Sequence, residues 1–184
     1  QYTHQETDSQ AAFFEADYAF NDKWTLTLGG RYTKDEKMTR QRGNLPADAE
    51  ADWSEFTPKI GLRYRINDDA MLYATFSEGY RSGGFNGRVD SFESATIPYN
   101  PEFLENYELG FKSEFGGGRF RLNGAFFYMD YQDKQEEIGL KSDGATGQRI
   151  SVFNAATATM KGIELQGQAL SLIHISEPTR RHLI

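Results

Sequence analysis

Trp24-Thr25-Leu26-Thr27-Leu28-Gly29-Gly30-Arg31-Tyr32-Thr33 decides the fold. Trp24, Leu26, Leu28, Gly30 and Tyr32 point one way along an extended chain, and Thr25, Thr27, Gly29, Arg31 and Thr33 the other. The same period recurs downstream. Phe56, Ile60, Leu62, Tyr64 and Ile66 oppose Lys59, Gly61, Arg63 and Arg65, and Phe120, Leu122, Gly124, Phe126 and Tyr128 oppose Arg119, Arg121, Asn123, Ala125 and Phe127. Seven strands are predicted at about 10–20, 23–37, 53–66, 70–80, 103–115, 119–134 and 149–169. Most exceed the ~5–6 residues usual in a soluble sheet and suit the ~9–11 that cross a bilayer at a tilt.

The connections alternate in length. Asn21-Asp22, Asn67-Asp68-Asp69 and Gly116-Gly117-Gly118 read as tight turns, built from residues that cap turns or accept positive φ. Long polar connections are expected at about 38–52, 81–102 and 135–148. Short periplasmic turns and long outer loops are the habit of bacterial outer-membrane barrels. On that basis the strands starting near Trp24, Met71 and Arg119 run outward. Aromatics near strand ends (Trp24, Tyr64, Tyr73, Tyr80, Tyr107, Phe115, Tyr128, Tyr131) are expected to form interfacial girdles. The fold class expected is all-β: an antiparallel transmembrane β-barrel fragment, an open curved sheet with both terminal edges unpaired. A soluble β-sheet binding module is the alternative that strand length and loop asymmetry disfavour.

Composition agrees. Only 38% of the 184 residues are hydrophobic, and no apolar run approaches the ~20 residues of a spanning helix. Barrel strands show lipid only every second side chain, so their mean hydropathy stays low. A net charge of −7 gives no basic footprint for nucleic acid. The absence of cysteine excludes thiolate metal sites within these residues. His4, His174 and His182 fall in no metal-ligating spacing, and Asp68-Asp69 and Glu136-Glu137 are neighbours that face apart on a strand. No enzyme, cofactor or metal site is therefore expected. Gly83-Gly84 carries no phosphate-loop context and reads as turn flexibility. The acids Asp48, Glu50 and Asp52 and those after Gln135 read as solvated loop charge. The chain opens on Gln1-Tyr2-Thr3-His4, without initiator Met or leader, which reads as an internal cut.

Four segments then carry a resemblance. Phe76-Ser77-Glu78-Gly79-Tyr80-Arg81-Ser82-Gly83-Gly84-Phe85-Asn86 resembles the strand that enters a long outer loop in TonB-dependent receptors. Tyr99-Asn100-Pro101-Glu102 with Leu104-Glu105-Asn106-Tyr107-Glu108-Leu109-Gly110-Phe111-Lys112 is similar to the returning strand. Ala125-Phe126-Phe127-Tyr128-Met129-Asp130-Tyr131-Gln132-Asp133-Lys134-Gln135 resembles the next outward strand. Asn154-Ala155-Ala156 with Lys161-Gly162-Ile163-Glu164-Leu165 resembles the one after it. The resemblance covers about residues 10–170. It implies a barrel of about 22 strands around a plug, in the outer membrane of a Gram-negative bacterium, in contact with lipid and lipopolysaccharide. Such receptors import a scarce nutrient, most often a ferric siderophore, with energy from the TonB complex reached through the plug. No plug or TonB box stands in these residues, so the segment is not expected to transport alone. A porin-like barrel is the rival within the membrane class. Residues 1–170 are thus read as partial receptor barrel. Residues 171–184, from Ser171-Leu172-Ile173-His174-Ile175-Ser176 onward, resemble translated sequencing adapter and are read as a non-native tail.

Two residue sets follow. Lys59, Arg63, Arg65, Glu108, Lys112, Arg121 and Glu164 are expected to face the lumen, since a charge facing lipid at the midplane costs ~2–4 kcal/mol. Tyr80, Arg81, Phe85, Asn86 and Arg88, entering the outer loop, are the candidate ligand contacts. Arg and aromatic side chains recognise an anionic planar chelate by charge-assisted hydrogen bonds and stacking.

Overall fold

The computed structural model describes residues 2–43, 46–87, 95–141 and 148–170. Seven antiparallel strands form one sheet in chain order: β1 (Tyr2–Ala19), β2 (Trp24–Arg42), β3 (Ala47–Asn67), β4 (Ala70–Arg81), β5 (Glu102–Phe115), β6 (Phe120–Lys141) and β7 (Gln148–Ala169). β1 and β7 each have one neighbour, so the sheet is open, as expected. The proposed non-native tail lies outside the described residues.

The short turns form through their own side chains. The Asn21 carboxamide oxygen accepts the N–H groups of Lys23 (2.9 Å) and Trp24 (3.0 Å), and that of Asn67 accepts Asp69 N–H (3.0 Å). Gly116, Gly117 and Gly118 take φ of 66°, 67° and 80°, a run that only glycine enters readily.

Two of the three long connections differ from expectation. β2 and β3 continue to Arg42 and from Ala47, and β6 and β7 to Lys141 and from Gln148, so 38–52 and 135–148 are mostly strand. No lipid touches either face there, and the buried side is lined by Thr39, Gln41, Ala47, Gln135 and Ser151, so the contrast between faces is too small to read as a strand while the ladder continues. Arg42 and Asp48, across the end of the β2–β3 ribbon, close it with a 2.5 Å ion pair. β1 likewise starts eight residues before the expected point, at Tyr2.

Register assigns every residue to a face. One face carries Phe14, Tyr18, Leu28, Tyr32, Ile60, Leu62, Leu72, Phe76, Leu109, Phe111, Phe126, Ile163 and Leu165 in paired rows. Many are openly exposed: Leu109 at 60%, Ile163 at 74% and Leu165 at 72%. Among the described residues the buried apolar side chains are only Ala47, Phe85 and Ala95, while Asp35, Thr39, Gln41, Gln135 and Ser151 are buried. An apolar exterior with a polar interior is a membrane barrel turned for lipid. Two aromatic girdles bound the band. Tyr18–Phe20 (5.1 Å), Trp24–Tyr64 (4.5 Å) and Phe115–Phe120 (5.4 Å) form the lower one, and Phe76–Tyr107 (5.0 Å) and Tyr107–Tyr128 (6.3 Å) the upper. Phe120 to Tyr128 covers about 27 Å of strand at ~3.4 Å per residue, about 20 Å of height at ~40° tilt, close to the ~25 Å band of such barrels. Tyr73 and Tyr131 lie on the opposite face and belong to neither girdle, because parity and not nearness to a strand end decides the side.

β3 and β4 pair only between Lys59↔Ser77 and the lower turn. The bond from Arg65 N–H to Lys23 O (2.8 Å) sets the phase: odd residues of β3 turn their backbone groups to β2, and even residues turn theirs to β4. Pro58 is the next even residue above Ile60 and has no N–H to give, so the ladder ends there. Above this point β4 leaves the plane of the sheet.

Candidate functional site: the concave wall and the strap across its mouth

The chain leaving β4 lies over one face and is held from both sides of the sheet. Ser82, Gly83, Phe85, Asn86 and Gly87 each have their carbonyl taken by a side chain of the wall. Gln135 Nε2 reaches Ser82 O (3.0 Å), Lys37 Nζ reaches Gly83 O (2.7 Å), Gln5 Nε2 reaches Phe85 O (3.0 Å), Gln41 Nε2 reaches Asn86 O (3.2 Å) and Thr3 Oγ1 reaches Gly87 O (3.0 Å). Gly84 pairs instead with Tyr99 in an isolated antiparallel bridge. The Asn86 carboxamide accepts Val152 N–H (2.7 Å) and donates to Val152 O (3.1 Å). Asn154 holds the far end, accepting Asn100 N–H (2.7 Å) and donating to Asn100 O (2.9 Å). Residues 82–87 and 99–100 are therefore a strap from β1 and β2 to β6 and β7. One residue, Asn86, whose carbonyl meets Gln41 of β2 and whose side chain meets Val152 of β7, requires the sheet to curl, and the strap marks its concave face.

All seven charged residues expected to face the lumen share that concave face by register. Lys59 pairs with Glu15 (2.6 Å), Arg63 with Asp17 (2.5 Å) and Arg121 with Glu114 (2.6 Å). The Tyr73 hydroxyl donates to Glu108 (2.6 Å), with the Lys112 ammonium 5.7 Å from the Tyr73 ring centre. Arg65 and Glu164 form no ion pair with a described residue. Glu108, Lys112 and Glu164 come together with Tyr73 around a hollow of about 500 Å³. These pairs are half exposed, so each contributes ~0–1 kcal/mol; they orient the wall more than they stabilise it.

The loop candidates separate. Tyr80 stands 5.8 Å from Phe103, above the apolar band. Arg81 is exposed. Phe85 is buried at 7%, 6.5 Å from the Trp53 ring, and the Asn86 carboxamide bonds Val152 through both its oxygen and its nitrogen. Arg88 lies outside the described residues. Gly83-Gly84 is not a flexible turn. Neither residue has positive φ. A Cβ on Gly83 would sit 2.3 Å from Tyr99 O and 2.7 Å from Trp53 Cε2, and one on Gly84 would sit 2.5 Å from the Tyr99 hydroxyl oxygen. Glycine is required there for close approach. The wall residues Gln5, Lys37, Gln41, Gln135 and Asn154 were not singled out from sequence. For Gln5, Lys37 and Gln41 the readable signal was their placement on the concave side of strands that continue past the membrane band.

Burial pushes the Tyr80 phenol from its ordinary 10.0 up to about 12, helped by the charges of Asp35 and Glu55. The Lys37 ammonium is shifted down, mainly by burial and against the attraction of Asp35. For Tyr80 the raised value means that folding favours the protonated form. Its contribution to stability is fully present below pH 10 and is lost as pH rises through about 12. An alkaline absorbance titration is expected to show a tyrosinate step near pH 12 whose amplitude Tyr80→Phe lowers by one residue.

The class is now defined: part of the wall of a transmembrane barrel, apolar outside, charged inside, with an outer connection folded over its mouth. The profile of the family described as TonB dependent receptor-like, beta-barrel matches residues 1–176, and the chain belongs to that family, whose place is the outer membrane of Gram-negative bacteria. It is 27% identical over 169 residues to the ferripyoverdine receptor of Pseudomonas aeruginosa, covering 90% of this chain and 19% of that one. It is 29% identical over 131 residues to the metal-pseudopaline receptor CntO of P. aeruginosa, covering 68% and 18%. Among solved structures, the ferric yersiniabactin uptake receptor FyuA of Yersinia pestis superposes with a TM-score of 0.74 at 22% identity, covering 90% of this chain and 24% of that one. The pyoverdine outer membrane receptor FpvA of P. aeruginosa gives 0.65 at 23%, covering 92% and 23%. The chain thus spans roughly a fifth of the length of the curated relatives it matches.

Proposed function

We propose that this segment is part of the wall of an active importer for a ferric siderophore, energised by the TonB complex through a plug inside the barrel. The observation that carries this reading is the match along nearly the whole chain to receptors named for siderophores and metallophores. In this reading the concave charges Lys59, Arg63, Arg65, Glu108, Lys112, Arg121 and Glu164 line the passage and face the plug. Lipid and lipopolysaccharide surround the convex side. Arg81 and Arg88 meet the anionic chelate, while Tyr80, Phe85 and Asn86 hold the strap that presents them. The segment contributes binding and passage and no covalent chemistry.

The test is deletion of the complete receptor gene in its own host, followed by uptake of radioactive iron from a panel of ferric hydroxamate, catecholate and phenolate siderophores. Loss of uptake for one chelate class, restored by the gene, is expected. Normal iron uptake with loss of growth on haem, cobalamin or a glycan instead would overturn the siderophore assignment and leave the receptor family in place.

A further inference from the structure

Above Pro58, β3 has a strand on one side only. Its even residues Asp48, Glu50, Asp52, Ser54 and Phe56 turn their backbone N–H and C=O groups toward the side that β4 has left. Phe56 N–H reaches only the Glu55 carboxylate, at 3.3 Å. Among the described residues, the other four have no backbone partner along that edge. The concave side is closed, with Ala47 (4% exposed) and Ala95 (0%) forming a buried cluster and Trp53 beside Phe85.

The sequence along it is Ala47-Asp48-Ala49-Glu50-Ala51-Asp52-Trp53, with small residues inward and an acid outward at each alternate position. Across β1, β2 and β3, Asp8, Glu36 and Asp52 stand directly opposite one another, and Glu50 faces Met38. Like charges directly opposite destabilise a sheet. One ammonium, Lys34, sits in this region, and it is bound to Glu36 at 2.5 Å. Arg42 is committed to Asp48. Arg40 stands opposite Asp48, yet acids still outnumber cations along this face toward the open edge: Glu6, Asp8, Glu36, Asp48, Glu50 and Asp52 against Lys34, Arg40 and Arg42. Among the described residues no group of acids is arranged to hold a metal ion.

We propose that the outer edge of β3, from Ala47 to Phe56, docks an extended peptide of another protein, added as a strand and carrying Lys or Arg at alternate positions opposite Glu50 and Asp52. Backbone groups give such an added strand its affinity, and alternate side chains give it specificity. A second copy of this chain is a poor occupant, because its own edge would set acids against acids.

The experiment uses the complete receptor in detergent micelles and a labelled synthetic peptide alternating lysine and threonine. Saturable binding is expected, with slowed amide exchange at the outward-turned residues Glu50, Asp52 and Ser54. A peptide with the same charges but an N-methylated backbone, and one alternating glutamate and threonine, are each expected to bind at least about tenfold more weakly. Receptor carrying Glu50→Lys and Asp52→Lys is expected to prefer the acidic peptide. If that variant fails to assemble, the N-methyl comparison on unaltered receptor decides. Equal binding of the N-methylated peptide would reduce the effect to surface charge and overturn the proposal. So would the absence of saturable binding, or the amides of Glu50, Asp52 and Ser54 already protected in peptide-free receptor.

Discussion

Leu109→Arg is expected to remove most folded receptor from the outer membrane. Leu109 lies between the two girdles, paired with Ala74 and Phe126 and 60% exposed on the apolar face. A guanidinium at that depth costs ~2–4 kcal/mol, roughly 30- to 1000-fold in the folded population. Asn123→Lys is the matched control. Asn123 sits on the concave face, donating to Gln166 at 3.4 Å, and a new ammonium there meets water, with Glu108 and Glu164 nearby to offset Lys112 directly opposite. Heat-modifiable gel mobility of outer-membrane fractions reads both. Near-normal amounts are expected for the lysine variant and near-complete loss for the arginine variant. Equal tolerance of the two would deny that the faces differ in solvent.

The second large effect is expected at Gly83. Gly83→Val places a Cβ against Tyr99 O at 2.3 Å, and a backbone oxygen cannot swing aside as a flexible side chain would. The strap must lift, releasing the Gly83 carbonyl from Lys37 and Phe85 from beside Trp53. The membrane band is untouched, so receptor should still reach the outer membrane in normal amount. Its uptake rate should fall by at least about tenfold, the consequence of misplacing a binding loop by about 1 Å or more. Trypsin should gain access at Arg81. Asn86→Ala is expected to give a milder version. It loses two hydrogen bonds to Val152, each ~0.5–1.5 kcal/mol net, without introducing a clash. Unchanged uptake and protease resistance in Gly83→Val would mean that the strap has no part in presenting ligand.

The parts of the fold that lipid dictates are legible in the sequence. From Trp24 to Tyr32 and from Phe120 to Tyr128 the bilayer demands an apolar residue at every outward position, so the period is written in hydropathy. The turns are equally legible, because Asn21, Asn67 and Gly116 to Gly118 act through local chemistry. Above the girdles that demand ends. Ala47-Asp48-Ala49-Glu50-Ala51-Asp52 alternates as strictly as any spanning strand, but its contrast is small against acidic, and an average over hydropathy reads loop. The strap was legible as a candidate ligand segment and not as a structure. Its hold depends on Gln5, Lys37, Gln41 and Gln135 reaching across the fold, and nothing local to Ser82 through Gly87 announces those partners. Gly83-Gly84 shows the same limit. A glycine kept for space looks, in sequence, like one kept for φ.

The central claim is that one face of this sheet meets lipid and the other lines an aqueous interior. These 184 residues contain no cysteine, so single cysteines at Leu109, Lys112, Asn123 and Phe126 in the complete receptor can be tested in intact outer membranes. Any native cysteine elsewhere would be replaced first. Cysteines at 112 and 123 are predicted to react with a small water-soluble maleimide, and those at 109 and 126 to resist it while a spin label there is relaxed by oxygen dissolved in lipid. Water-soluble labelling at 109 and 126, equal to that at 112 and 123, would contradict the barrel.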